Sequence, residues 1–239
     1  MASVLAQKGV DFEYIVIDGG STDGSQEVMK IHADRLAYAI SEPDNGVYNA
    51  MNKGLEKAKG EYVLFLNSGD RLVSHDTLEK LEPYLNGIDL VYGRIRYEKA
   101  DGFFDANYYP ETLSLYYLYQ HYIPHPATFI RRELFEKAGY YDEKYSICAD
   151  WVFFLKALGI YRASYRYAHQ IVTIYDTQGI SAQPENQAKI RNERIQALHE
   201  LFPLFAKDFL ADVELREQIA SLRKNKVIRL LNKLGLLKI

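Results

Sequence analysis

Apolar positions along the amino-terminal half fall into alternating short runs and helical stripes, and glycine, proline or asparagine marks each switch. Residues 12–17 are apolar and β-rich, which predicts a strand running into Asp18-Gly19-Gly20-Ser21-Thr22-Asp23-Gly24. Two glycines there allow a tight turn and close approach of a ligand to the backbone. A helix is predicted over 25–35, a strand over 36–40 and a loop over 41–46. Residues 47–59 read as a helix with Val47, Met51, Leu55 and Ala58 as its buried stripe. Residues 61–66 are a nearly unbroken apolar run ending in Asn67-Ser68-Gly69-Asp70, which predicts a strand buried on both faces of a parallel sheet. A helix over 76–85 and a strand over 88–92 continue the alternation, which argues for a doubly wound α/β layer.

Beyond Arg94 the pattern loosens into a tyrosine-rich stretch with a short helix near 113–119. A strand over 127–130, a helix over 132–138 and an amphipathic helix over 151–158 follow, the last opened by Cys148-Ala149-Asp150. A strand over 171–174, a turn over 177–181 and a helix over 185–201 complete the regular pattern. The tail 213–239 carries Arg216, Arg223, Lys224, Lys226, Arg229, Lys233 and Lys238 against Glu214 and Glu217, a balance of 7 − 2 = +5. Beside those cations, Val227, Leu230, Leu231 and Leu234 make an apolar stripe. Such a helix either lies on an anionic membrane surface or packs against protein.

Composition narrows the class. With 239 residues, 48% of them hydrophobic, the chain can fill a real core, and a net charge of −3 gives no case for nucleic-acid binding. Its one cysteine, Cys148, excludes an intramolecular disulfide. No apolar run approaches the roughly 18 residues of a spanning helix, and the first residues lack the pattern of a secretory signal. The expected location is cytoplasmic, or peripheral on the inner face of the plasma membrane.

Candidate chemistry gathers at the loops after the predicted strands, where ligands of open α/β sheets bind. Asp70, flanked by small residues, suits a divalent metal carrying a phosphate, because Mg²⁺ takes few protein carboxylates; capping the next helix is the alternative. Asn45, Asn49 and Asn52 share one face of a helix, either as ligand contacts or as solvated residues. Asp150 opens its helix either as a cap or as a base for a substrate hydroxyl. His121 and His125 have a zinc-like spacing, but Pro124 and Pro126 break the helix that spacing needs.

In order and spacing, FEYIVIDGGSTDG, EPDNGVYNAMNKGLEKAKGEYVLFLNSGD, HPATFIRRELFEKAGYYDEKY and the Ala-Asp of ADWVFFLK resemble glycosyltransferase family 2, over roughly residues 3–180. The nearest flavour is the branch that builds bacterial surface polysaccharides. The resemblance implies a GT-A-type three-layer α/β sandwich with a mixed central sheet over 1–182 and a helical extension over 183–239. It implies an inverting transfer from a nucleotide-diphosphate sugar, UDP-linked by expectation, to a saccharide or lipid-linked acceptor. Asp18, Asp44, Asn49, Asn52, Ser68 and Asp70 would then line the donor side, Asp70 would hold Mn²⁺ or Mg²⁺, and Asp150 would be the base. This sequence departs from the pattern at Gly69, Gly19 and Ala149, each in place of a common acid, and lacks the family's first strand and Tyr-Asn-type turn. The competing expectation is a catalytically impaired fragment or pseudoenzyme acting as a membrane-associated interaction partner. A nucleotidyltransferase is disfavoured, because no basic glycine-rich phosphate loop opens the chain.

Overall fold

Strand and helix alternate from the start of the chain, as the apolar periodicity predicts, except that β4, which the sequence does not indicate, directly follows β3: α1 (Ala2–Leu5), β1 (Ile15–Asp18), α2 (Ser25–Ile31), β2 (Tyr38–Ser41), α3 (Val47–Lys57), β3 (Tyr62–Val63), β4 (Arg71–Leu72) and α4 (Thr77–Leu85). There follow β5 (Leu90–Lys99), β6 (Gly102–Asp105), α5 (Leu115–Gln120), β7 (Thr128–Arg131), α6 (Arg132–Ala138), α7 (Ala149–Gly159), β8 (Tyr165–Asp176), α8 (Gln187–Leu201), α9 (Pro203–Lys224) and α10 (Lys226–Lys233). The computed structural model describes residues 1–99, 102–106 and 109–233. The chain divides into two units, Met1–Glu193 and Arg194–Ile239.

In the first unit β1 and β2 pair in parallel, with Ile15 opposite Tyr38 and Asp18 opposite Ser41. The other strands form a mixed sheet in the order β3-β7-β5-β8-β4, with β6 folded back onto β5. Within that sheet β5 and β8 run parallel, while the β3–β7, β5–β7 and β4–β8 ladders are antiparallel. The sequence predicts only short strands at 88–92 and 171–174; both extend much further because they bend together. The register slips between Tyr92 and Arg94, where β8 bulges at His169 with φ +54°. Gly93 permits the close crossing, since a Cβ there would stand 2.6 Å from the Gln170 carbonyl oxygen. Past the bulge β8 continues to Asp176 and pairs with β4, bringing its end to the loop that holds Asp70.

Two expectations need correction. The stripe of α3 is Tyr48, Met51 and Leu55, not Val47, Met51, Leu55 and Ala58; Val47 is exposed, and Ala58 is already extended at the helix end. Helix α7 is not amphipathic, because Trp151, Val152, Phe153, Phe154, Leu155 and Ala157 are all buried. A helix apolar all round belongs inside the core. Each of its large side chains contributes roughly 1.5–3 kcal/mol by leaving water.

The run 61–66 also differs from its expectation. Only Tyr62 and Val63 are in a strand, paired on one side with β7, and 62–66 are half-buried rather than buried on both faces. No described residue bonds the backbone N–H groups of Leu64, Phe65 and Leu66. Glu13 pins the start of this run beside β1, its Oε1 accepting the N–H groups of Lys59 (2.5 Å) and Gly60 (2.7 Å). From there both segments line one cleft of about 900 Å³, whose apolar lining includes Ile15, Ile17, Met51 and Leu64. The edges of the two sheets, unpaired among the described residues, therefore face one cleft, which explains why 61–66 is not covered on both sides.

In the second unit, α9 and α10 are separated by Asn225, whose backbone is extended (φ −65°, ψ 128°) and whose Oδ1 accepts the Val227 N–H at 2.9 Å. Among the described residues the tail is therefore carried by two helices, α9 and α10. Val227 is exposed; the side chains of Leu230 and Leu231, and all of Leu234 and Lys238, lie outside the described residues. Among the described residues no helix is long and apolar enough to cross a membrane.

Candidate active site

Asp18 ends β1, and its Oδ2 accepts the N–H groups of Gly20 (3.1 Å) and Ser21 (2.9 Å) and the Ser41 hydroxyl (2.6 Å). Hydrogen bonds from Ser21 and Ser41 hold its carboxyl down at about 2. Asp44 follows β2, with Oδ1 accepting the Gly46 N–H at 2.9 Å. Its carboxylate lies over Gly19, where a Cβ would stand 2.5 Å from Oδ2. The glycine at 19 thus leaves the space that the Asp44 carboxylate takes. Asp44 and Ser68 line the same cleft as Glu13 and Gly60.

Asn49 and Asn52 point elsewhere. Both amides donate to the Glu143 carboxylate, Asn49 at 3.1 Å and Asn52 at 2.9 Å. Asn52 also exchanges bonds with the backbone of Tyr141, donating to its carbonyl at 2.9 Å and accepting its N–H at 3.1 Å. These amides tie α3 to the segment after α6, which explains two asparagines on one helix face.

Asp70 is half-buried at the end of a turn closed by its own N–H to the Asn67 carbonyl (3.1 Å). It does not cap α4. Its Oδ1 accepts the Asp176 N–H at 2.9 Å, while Oδ2 is buried without a partner. Burial pushes the carboxyl up to about 6, with the Asp176 charge adding to the rise. A buried carboxylate oxygen without a donor fits one ligand position of a hard divalent cation. Among the described residues no group of three or more His, Cys, Asp or Glu converges on one point. One or two carboxylates would suffice, with diphosphate oxygens and water in the remaining positions.

Asp150 lies in the first turn of α7, one residue past the start, so Cys148 rather than Asp150 is the cap position. Its Oδ1 accepts the Tyr48 hydroxyl (2.7 Å) and the Trp151 N–H (2.8 Å). Tyr48 is buried on α3, so the helix that follows the Asp44 loop also fixes the Asp150 carboxylate. Oδ2 accepts no hydrogen bond among the described residues. Burial raises the pKa of the Tyr175 hydroxyl, and the charges of Asp70 and Asp150 add to the rise. His125 is walled off: it is buried, stacked on Phe65, and bonded through Nε2 to the Tyr141 hydroxyl at 2.8 Å. Burial lowers its pKa and keeps it neutral.

Two acids were not singled out by the sequence. Glu193, buried near the middle of α8, accepts the N–H groups of Ser146 (3.0 Å), Ile147 (3.1 Å) and Cys148 (3.0 Å) and the Ser146 hydroxyl (2.8 Å). It shapes the loop that delivers Asp150. Asp176 ends β8 beside Asp70. Neither has a local motif; only the bend of β8 and the placement of α8 bring them in.

The mixed sheet, its flanking helices and the strand-end carboxylates define a GT-A-type glycosyltransferase fold. Crystal structures of S. aureus TarS 1-349 share it: in complex with UDP, TM-score 0.62 at 18% identity over 84% of this chain, and in complex with UDP-GlcNAc, TM-score 0.63 at 18% identity over 84%. This chain spans 61% and 62% of those two. The family model for glycosyl transferase family 2 matches residues 1–141, and the chain belongs to that family. The PGL/p-HBAD biosynthesis glycosyltransferase of Mycobacterium bovis (strain BCG / Pasteur 1173P2) is 33% identical over 183 residues, covering 74% of this chain and 70% of the relative. An uncharacterized glycosyltransferase of Mycobacterium tuberculosis, Rv1514c, is 31% identical over 197 residues, covering 80% and 74%.

Proposed function

We propose that this chain is an inverting glycosyltransferase that moves a sugar from a nucleotide-diphosphate sugar, UDP-linked, to a saccharide or lipid-linked acceptor of a cell-surface glycoconjugate. The observation that carries the reading is that Asp70 and Asp150 each have one carboxylate oxygen engaged and the other without a donor among the described residues. Asp150 Oδ2 takes the proton of the acceptor hydroxyl, whose oxygen attacks the anomeric carbon. The bond from that carbon to the diphosphate breaks, the diphosphate leaves with the electron pair, and the configuration inverts through an oxocarbenium-like state. Asp70 would hold a divalent cation, Mn²⁺ or Mg²⁺, which when bound neutralises charge on the departing diphosphate. Asp18, Asp44 and Ser68 take the nucleotide side in this reading, while Asn49 and Asn52 hold α3 to the segment after α6 through Glu143 and the Tyr141 backbone. The UDP assignment draws on TarS having been crystallised with UDP and UDP-GlcNAc. Residues 1–182 would form the transferase domain, with 183–239 as its extension and 213–239 as a contact for anionic membrane on the cytoplasmic face.

Asp150→Asn separates chemistry from binding. Turnover should fall at least a hundredfold while the donor's dissociation constant stays within about twofold. Equal loss of both would make Asp150 a structural group only. The second reading, a catalytically impaired chain that acts as an interaction partner, is favoured by the open cleft between β1 and residues 61–66. It predicts donor binding without turnover in the unmodified chain.

A further inference from the structure

Gly69, with φ +92°, stands in the turn before Asp70 where the sequence offers no second acid. A Cβ at residue 69 would overlap the Asp176 carboxylate. The space that a side chain at 69 would need is thus already filled by an acid delivered from β8, more than a hundred residues later. Asp176 is held in two ways: its N–H donates to Asp70 Oδ1 at 2.9 Å, and its own Oδ1 accepts the Gln178 N–H at 2.9 Å. Among the described residues no donor reaches Asp70 Oδ2 or Asp176 Oδ2. The neighbouring Arg71 is turned away, 2.7 Å from Glu98. Two carboxylates set side by side repel each other, and a cation between them removes the repulsion.

We propose that Asp176 is the second carboxylate of the cation–diphosphate site, supplied across the sheet in the place left by Gly69. The assignment rests on the reading of Asp70 as a cation-binding residue, and it adds a residue distant in sequence and outside any local motif. Carboxylate pairs of this kind accept hard cations such as Mn²⁺ and Mg²⁺ while leaving coordination positions for phosphate oxygens. The same arrangement explains why Gly69 must remain small, since any side chain there would push Asp176 away from Asp70.

The probe is Mn²⁺, titrated into the full chain with and without UDP and followed by the electron paramagnetic resonance of free Mn²⁺. Asp176→Asn keeps the acceptor for the Gln178 N–H and removes one like charge, so its unfolding midpoint should not fall. It should weaken Mn²⁺ binding at least tenfold, as should Asp70→Asn, whereas the exposed Asp142→Asn should not change it. Gly69→Ala gives a second route, displacing the Asp176 carboxylate without altering a charge, and should weaken Mn²⁺ binding in the same direction. Wild-type affinity in Asp176→Asn together with a loss in Asp70→Asn would overturn the role of Asp176 and leave Asp70 as a lone ligand. No Mn²⁺ uptake by the unmodified chain, with or without UDP, would overturn the cation reading itself and this assignment with it.

Discussion

Burial holds the Asp70 carboxyl at about 6, against an ordinary value of 3.8, and the sign of that shift makes a stability prediction. A folded value raised above the unfolded one contributes stability that is fully present below about pH 4 and lost as pH rises through about 6. Above that range the ionised carboxylate is a net cost to the fold, of up to about 3 kcal/mol. Asp70→Asn should therefore be more stable than the unmodified chain at pH 8 and equal to it at pH 3.5, in denaturant titrations at both values. A variant less stable at pH 8 would mean that an unobserved partner satisfies the charge. Asp70 and Asp150 were legible in the sequence because each follows a recognisable local pattern, an apolar run or a helix start. Asp176 and Glu193 were not, because their partners are set by a bulge in β8 and by the placement of α8. For Asn49 and Asn52 the helix face was legible but the partner, Glu143, was not.

Helix α7 and the loop ahead of it show how an element places a reactive group. Three consecutive backbone N–H groups, from Ser146 to Cys148, converge on the Glu193 carboxylate, and α7 starts at the next residue. Glu193→Ala would leave those donors unpaired in a buried site. It should cost about 3 kcal/mol, and in thermal unfolding the loss should exceed that of the exposed Glu200→Ala. An effect within about 0.5 kcal/mol would show that water replaces the carboxylate. Element type was legible wherever an apolar run was bounded by glycine or proline, as for β1, α3 and α6. Strand length was not, because β5 and β8 extend by pairing with each other through Gly93 and the His169 bulge, a tertiary event. Residues 61–66 had the right composition for a covered strand, but among the described residues they found a neighbour on one edge only.

At the scale of the whole molecule, a family 2 glycosyltransferase fold carries two units, and the second ends in a basic tail. The class was legible because motif order and spacing survive along the chain. The arrangement of the tail was less so, since Asn225 interrupts the helix with its own side-chain bond. Deleting 213–239 should abolish co-sedimentation with phosphatidylserine-containing liposomes at low salt. Unchanged sedimentation, or none from the intact chain, would dispose of the membrane contact. The central claim, a cation-dependent nucleotide-sugar site at Asp70, is tested most directly by calorimetric titration of UDP into the full chain with Mn²⁺ and with a chelator. The predicted result is saturable binding that requires Mn²⁺, is lost in Asp70→Asn and is kept in Asp150→Asn. UDP binding that is absent, or equally strong with the chelator, would contradict it.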